Sequence, residues 1–336
     1  MQLPIVPNWV VRTETLDFQF GPFKLGNFPF RALSLISNPF VVDPKLEVPL
    51  ERAVALGCGA VVKYGLPVGR RFAAIRVERA ALRYTTRYGL RYVIDFKAPF
   101  AEYLNKFSRK SRGNLQRTVK KFAAGKTGIP DLREFRSPSE IIAFRDIAVA
   151  ISHASYKNEL GWGFQEGENF ALQLEQDAAA GLVRGYVLMS DNQPAAYVFC
   201  RIEHDVIVYK HIGYDEQFAH KSPGTALLYL ILQRLFDEGE FRLLDFDGTE
   251  YYAYKEFFAT RAIRCARVVW FRPTIRNLAA VGCHWAVAAT WRGAAALRGS
   301  ARRSGGGWQS VRRLPRMWAR ALIRLPENSR TDIAGP

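Results

Sequence analysis

Apolar positions along this chain follow two periods that alternate from segment to segment. Phe28–Ile36, Ala60–Tyr64 and Leu90–Phe96 are short runs rich in β-branched and aromatic residues, which predicts strands. Glu47–Leu56 predicts a helix ending at Gly57. From Pro99, the residues Phe100, Tyr103, Leu104, Phe107, Leu115, Val119 and Phe122 recur near helical spacing, which predicts one long helix closing near Gly125. Beyond it, Leu132–Arg136 predicts a strand, and Ser137-Pro138-Ser139-Glu140 opens a helix with a capping residue and an acid in its first turn. A further helix is expected from Glu168 to Ala180. Three strands, Val183–Met189, Ala195–Ile202 and Val206–Ile212, then form a meander joined by short polar turns. Helix 225–238 gathers Leu227, Leu228, Ile231, Leu232 and Leu235 on one face and stops at Gly239. Strands Phe241–Phe246 and Arg264–Phe271 complete the pattern.

Charge changes the picture at the C-terminal end. The formal net charge is +17, but residues 257–326 hold 14 Arg, no Lys and no acid, whereas residues 1–256 are nearly balanced. The basicity thus belongs to an extension and suits an anionic surface, membrane lipid or nucleic acid. No nucleic-acid-binding motif appears, so no specific nucleic-acid partner is expected. Trp285, Trp291, Trp308 and Trp318 lie among the arginines, a mixture that suits a membrane interface. Ser300–Gly307 is expected to be a flexible linker. The four cysteines form no CxxC and the five histidines no ligand spacing, so neither disulfide framework nor metal is expected. The N-terminal segment has neither a basic start nor a long apolar stretch. The expectation is a cytoplasmic protein, with peripheral contact at the inner membrane face through 272–326.

Candidate chemistry concentrates between Tyr209 and Phe258. His220-Lys221-Ser222-Pro223-Gly224-Thr225 sits where helix 225–238 starts. A helix start presents unpaired N–H groups and a partial positive charge, Pro223 suits the first helical position, and Gly224 admits close approach to the backbone. That is what a pyrophosphate requires; the bland reading is a plain cap. Asp245 and Asp247 end a strand, where either could orient or deprotonate an amine, or simply cap a turn. Tyr254 and Lys255 follow in a short aromatic turn, and His211 could point into a cleft from the last meander strand. Each also has a packing or surface reading. Eight basic residues and no acid lie between Lys106 and Lys126, either a solvated face or a surface for an anionic acceptor.

The element order, with Gly213-Tyr214-Asp215, Ser222-Pro223-Gly224, Asp245-x-x-Gly248 and Tyr254-Lys255-x-x-Phe258, resembles the GNAT acyltransferases, in particular the CelD-like or BioF-like acetyltransferase branch related to the Fem peptidyltransferases. Phe107-Ser108-Arg109-Lys110-Ser111-Arg112-x-Asn114-Leu115 is a second point of similarity. The resemblance spans roughly residues 85–271. The phosphate loop departs from the usual Arg/Gln-x-x-Gly-x-Gly/Ala wording and keeps one of its two glycines.

This resemblance implies an α/β (α+β) fold: a mixed, largely antiparallel sheet flanked by helices, in two GNAT-like halves. The expected divisions are 1–125, ending in the basic helix; 126–271, binding coenzyme A; and 272–336, the Arg-rich extension. Acetyl-CoA is the implied co-substrate, held by residues 220–225. Arg109, Lys110, Arg112, Asn114 and His211 are implied to meet a small-molecule or lipid-linked acceptor, such as an amino sugar or envelope precursor. Transfer would be direct. The alternatives are a Fem-type transferase using aminoacyl-tRNA and a non-catalytic membrane-associated scaffold for polysaccharide synthesis.

Overall fold

The computed structural model describes residues 8–304 except 44, 79, 125–127 and 155–162, with side chains left undescribed at 124 and from 295 onward. In chain order the strands are β1 (Trp9–Phe20), β2 (Phe23–Leu35), β3 (Ala60–Pro67), β4 (Ile75–Glu78), β5 (Ala81–Asp95), β6 (Ala123–Ala124), β7 (Ile129–Pro130), β8 (Leu132–Phe135), β9 (Val183–Ser190), β10 (Gln193–Glu203), β11 (Val206–Tyr214), β12 (Leu243–Asp245) and β13 (Arg261–Phe271). The helices are α1 (Leu50–Ala55), α2 (Phe100–Tyr103), α3 (Arg109–Lys120), α4 (Pro138–His153), α5 (Glu168–Ala179), α6 (Pro223–Glu238), α7 (Ala253–Phe258) and α8 (Ile275–Ser304).

Eleven of the strands form one sheet in the order β1-β2-β3-β13-β5-β12-β11-β10-β9-β8, with β4 alongside β5. The expected mixed, largely antiparallel sheet flanked by helices is what forms. Among the described residues only β2–β3 and β11–β12 run parallel. Each parallel pair is bridged by a helix, α1 in the first half and α6 in the second. Each is followed by an antiparallel neighbour, β13 beside β3 and β5 beside β12. The two halves therefore share one plan and exchange strands: β5 completes the second half, and β13 completes the first. β13 and β5 pair with each other from Arg261↔Val93 to Phe271↔Leu82, tying the halves together.

Local chemistry explains the turns. Asp191 and Asn192 both take positive φ (53° and 63°), the geometry that closes a two-residue hairpin between β9 and β10. Ser137 and Glu140 form the expected capping box at the start of α4. One large cluster packs α3, α6 and α7 against β9–β12, with Leu227, Leu228, Ile231, Leu232 and Leu235 all buried. A second, built on Phe144, Phe164 and Phe199, fills the space under α4 and α5.

Three expectations need correction. The helix expected from Pro99 to Gly125 is two helices joined by a 3-10 turn, Leu104–Lys106. The break falls at Phe107, whose backbone is extended (ψ 144°), because its ring turns into the core against Phe257 (4.8 Å). Ser108 then offers a cap, accepting from the Ser111 N–H, so a new helix starts there at less cost than continuing. Residues 300–304, expected in a linker, continue α8; 305–307 lie outside the described residues, as do Trp308, Trp318 and the rest of the extension. The bland reading of the 220–225 loop, a plain cap, also fails: the Ser222 backbone is left-handed (φ 58°, ψ 58°) and its side chain caps nothing.

Candidate functional site

The site grows from the place where β11 and β12 part. Their parallel pairing covers Val206↔Leu243 to Val208↔Asp245 and ends there, while β11 continues to Tyr214 and the chain after Asp245 turns away. The turn is built by Asp247 (φ 49°) and Gly248 (φ 64°), and the glycine relieves the second left-handed position. Beyond β11, a 3-10 segment, Glu216–Lys221, leads through left-handed Ser222 into α6.

The start of α6 is open. It has no side-chain cap and no acid in its first turn, and a Cβ placed on Gly224 would meet open space. The start of α4 differs: there Glu140 folds back on the donors at Arg136 and Ser137. Ser222 is exposed, Thr225 half-buried and Pro223 buried. His220 Nδ1 lies 3.0 Å from the Gln217 carbonyl. Lys221 leans the other way, donating to Ser190 Oγ (2.9 Å) and Asp191 Oδ2 (3.1 Å) across Phe122 and Phe218. Phe122 follows α3 directly, so the C-terminal end of that basic helix, with Lys120 and Lys121, lies close to the start of α6. The helix start thus presents uncapped N–H groups beside the end of a basic helix, a setting that suits an anion.

Across the opening, Asp245 and Asp247 belong to a buried charge network. Arg91 on β5 donates from Nε and Nη2 to Asp245 (2.5–2.9 Å) and from Nη2 to Asp247 Oδ1 (2.9 Å). Asn38 Nδ2 donates to Asp245 Oδ2 (2.7 Å), and the Asp247 N–H donates to Asp245 Oδ1 (3.0 Å). Asp245 has no exposed surface, and each of its oxygens already accepts at least two hydrogen bonds. Its geometry is that of a counter-ion rather than of a proton acceptor. Asp247 also receives Lys210 Nζ (2.8 Å). Burial pushes its carboxyl up, but Lys210 and Arg91 outweigh that and hold it below the usual carboxylate range, which makes it a weak base.

Lys255 lies near the start of α7 and is buried, donating to the Asp247 carbonyl (2.7 Å) with its ammonium 5.1 Å from the Tyr252 ring centre. Burial lowers its pKa, with Asp247, Glu250 and Asp245 opposing that shift. Tyr254 packs its ring on Phe246 (5.9 Å), and burial raises its pKa, so the hydroxyl stays protonated. Tyr251 and Tyr252 are exposed beside them. At the far end of α7, Tyr103 and Lys106 donate to the carbonyls of Phe258, Phe257 and Ala259, which fastens α7 to the turn before α3.

The remaining candidates sit apart. His211 turns toward Phe164 (5.7 Å) and Phe199 (6.2 Å), on the side of the aromatic cluster under α4 and α5. Arg109, Lys110 and Asn114 are exposed on α3; Arg112 bonds Asn105, and Asn114 accepts from Arg117 (2.6 Å). The structure thus brings Asp245, Asp247, Tyr254 and Lys255 together, and leaves His211 outside that group. Arg91 and Asn38, 154 and 207 residues away from Asp245 in sequence, were missed. The available signal was an arginine inside the apolar strand Leu90–Phe96, since a buried guanidinium needs a carboxylate. Among the described residues no cluster of His, Cys, Asp or Glu could hold a metal ion.

Residues 109–256 match the family model described as the acetyltransferase (GNAT) domain. No curated protein matches the chain. Solved structures of similar outline include FemX (10% identity, covering 79% of this chain and 88% of that one, TM-score 0.46). They also include L-PGS from Bacillus licheniformis (13%, 76% and 84%, 0.45) and a tandem GNAT protein from the clavulanic acid biosynthesis pathway (12%, 75% and 80%, 0.39). Residues 109–256, which run from the basic helix α3 through the parted strands to Lys255, carry a GNAT acyltransferase-type domain.

Proposed function

We infer that the protein is a coenzyme A-dependent N-acetyltransferase. The observation that carries this reading is the open, uncapped start of α6, with Gly224 facing free space, directly after a parallel strand pair that parts. The pyrophosphate of acetyl-CoA would rest on the first-turn N–H groups of 222–225, with Lys221 exchanging Asp191 for phosphate. The pantetheine arm would run into the opening between β11 and β12 and bring the thioester toward Lys255.

In the reaction, an amine adds to the thioester carbonyl, the C–N bond forms, and the C–S bond breaks as the thiolate leaves. Lys255 uses one of its three N–H donors on the Asp247 carbonyl and keeps others for the oxyanion. The Arg91–Asp245–Asp247 network holds that carbonyl, and therefore the ammonium, in place. Tyr254, kept protonated by its burial, hydrogen-bonds the departing sulfur, and the proton that the amine sheds as the amide forms ends on that sulfur as the free thiol. Transfer is direct in a ternary complex. The acceptor is an amino sugar or a related cell-envelope precursor, small or lipid-linked, which the exposed Tyr251 and Tyr252 could stack upon and the basic face of α3 could attract. The test is thiol release from acetyl-CoA on addition of a panel of amino sugars: acceptor-dependent release supports the reading, and none across the panel contradicts it.

One observation favours a second reading. The exposed cations of α3, Arg109 and Lys110 among them, suit a large polyanion, as a Fem-type transfer from aminoacyl-tRNA would require. A tRNA gel shift at physiological salt, lost on Arg109→Ala with Lys110→Ala, would favour it over acetyl-CoA.

A further inference from the structure

The C-terminal helix lies along the edge of the first half, and among the described residues only one of its faces is used. Phe18 and Phe20 on β1 meet His284 (5.4 Å) and Trp291 (5.1 Å), and Arg276 covers the Phe28 ring (5.0 Å), so the β1–β2 hairpin runs along α8. Val281 is buried beneath it, and His284 Nδ1 pairs with the Tyr84 hydroxyl (2.5 Å). The opposite face is exposed yet apolar: residues 277–291 contain no charge, and Leu278 and Trp285 point outward with alanine and glycine between them. An outward helix face ordinarily carries charge. The hairpin tip continues the anomaly, with Phe23 68% and Leu25 61% exposed, and Ile275 at the helix start 87% exposed. Among the described residues nothing covers these side chains.

Cations frame the apolar surface. Lys24 sits between Phe23 and Leu25 and lies 3.8 Å from Asp17 on the facing strand, Arg272 and Arg276 lie at one end of the helix stretch, and Arg292 at the other. All charge from 257 to 326 is arginine, and guanidinium suits phosphate groups in paired geometry. No described helix is long and apolar enough to cross a membrane. We propose that α8 and the β1–β2 hairpin tip form a docking surface for an anionic phospholipid bilayer: Phe23, Leu25, Leu278 and Trp285 enter the acyl boundary, and the flanking Lys and Arg meet the headgroup phosphates. A second copy of the chain would set the arginines of the helix against one another, and a nucleic acid would leave the aliphatic tip in water. The proposal is independent of the acyl-transfer reading.

The experiment is vesicle sedimentation of the full chain with phosphatidylcholine vesicles and with vesicles containing about one third phosphatidylglycerol. Phosphatidylglycerol-dependent binding is expected, weakened by salt because surface charge is screened. It should fall at least about tenfold in Phe23→Asp/Leu25→Asp and in Trp285→Ser, exposed positions whose replacement leaves the melting temperature in place. Absence of binding to the anionic vesicles overturns the proposal. So does binding that all the variants retain. Sedimentation velocity showing a dimer that the same substitutions dissociate would assign the face to a second copy instead, and binding to single-stranded RNA in place of vesicles would assign it to nucleic acid.

Discussion

Replacing Arg91 with methionine is the sharpest test of how the site is held. The substitution keeps most of the apolar stem and removes a guanidinium that is 9% exposed, leaving Asp245, with no exposed surface, facing only the Asn38 amide and a backbone N–H. Removing one partner of a buried ion pair costs about 3–5 kcal/mol, because the survivor is left desolvated and uncompensated. At about 2 °C per kcal/mol for a large chain, the melting temperature should fall by about 6–10 °C. Adding Asp245→Asn removes the stranded charge and should recover about half of that loss. The pH dependence has a definite sign. Asp247 is held below the usual carboxylate range by Lys210 and Arg91, so its stabilising contribution is present above about pH 4 and lost as pH falls through its folded value. Part of that contribution disappears with Arg91, so the gap between parent and variant should narrow as pH drops from 7 to below about 4. Differential scanning calorimetry at both pH values measures this. A variant melting within about 2 °C of the parent at pH 7 would refute the buried-pair argument.

Three further outcomes follow from the same geometry. Lys255→Met should lower kcat by about 10²–10³ with little change in KM for acetyl-CoA, as loss of an oxyanion donor does, while sparing the melting temperature, since a desolvated charge is removed. Gly213→Ala should destabilise by about 1–3 kcal/mol in urea unfolding, because its Cβ would lie 2.4 Å from a Tyr197 ring atom and that ring is pinned by a hydrogen bond to Ser152. Burial lowers the pKa of Lys106 to about 8, below its unfolded value, so the unfolded chain binds more protons between about pH 8 and 10.5. Stability should therefore rise with pH across that window, and Lys106→Met should flatten the rise in thermal melts.

Most of the second half was legible in the sequence because its signals are local. The capping box at Ser137, the turns between apolar runs and the leucine face of α6 each act over a few residues, and all appear where expected. The broken helix at Phe107 was not legible: its ring keeps helical spacing, and the contact that pulls it out of line comes from Phe257, 150 residues later. Phe28–Ile36 was legible as a strand and lies in β2, but β1 and its pairing with β2 escaped notice for a related reason. Glu14 reads as a solvent position but is buried among Arg12, Ser34, Tyr64 and Arg267, which come from four strands. The strand exchange of β5 and β13 is likewise a property of pairing between distant segments. At the candidate site, Asp245 and Asp247 were legible as residues ending a strand, but that Asp245 faces a counter-ion is decided by Arg91, which no spacing rule connects to it.

The central claim is that the start of α6 receives the pyrophosphate of coenzyme A, and Gly224 allows it to be tested without disturbing the fold. A side chain placed there projects into open space. Isothermal titration of acetyl-CoA into the parent and into Gly224→Trp, with thermal melts of both, is the direct measurement. The account predicts saturable binding to the parent, binding lost in the variant, and matching melting temperatures. Absence of heat with the parent, or equal affinity in the two proteins, would contradict it.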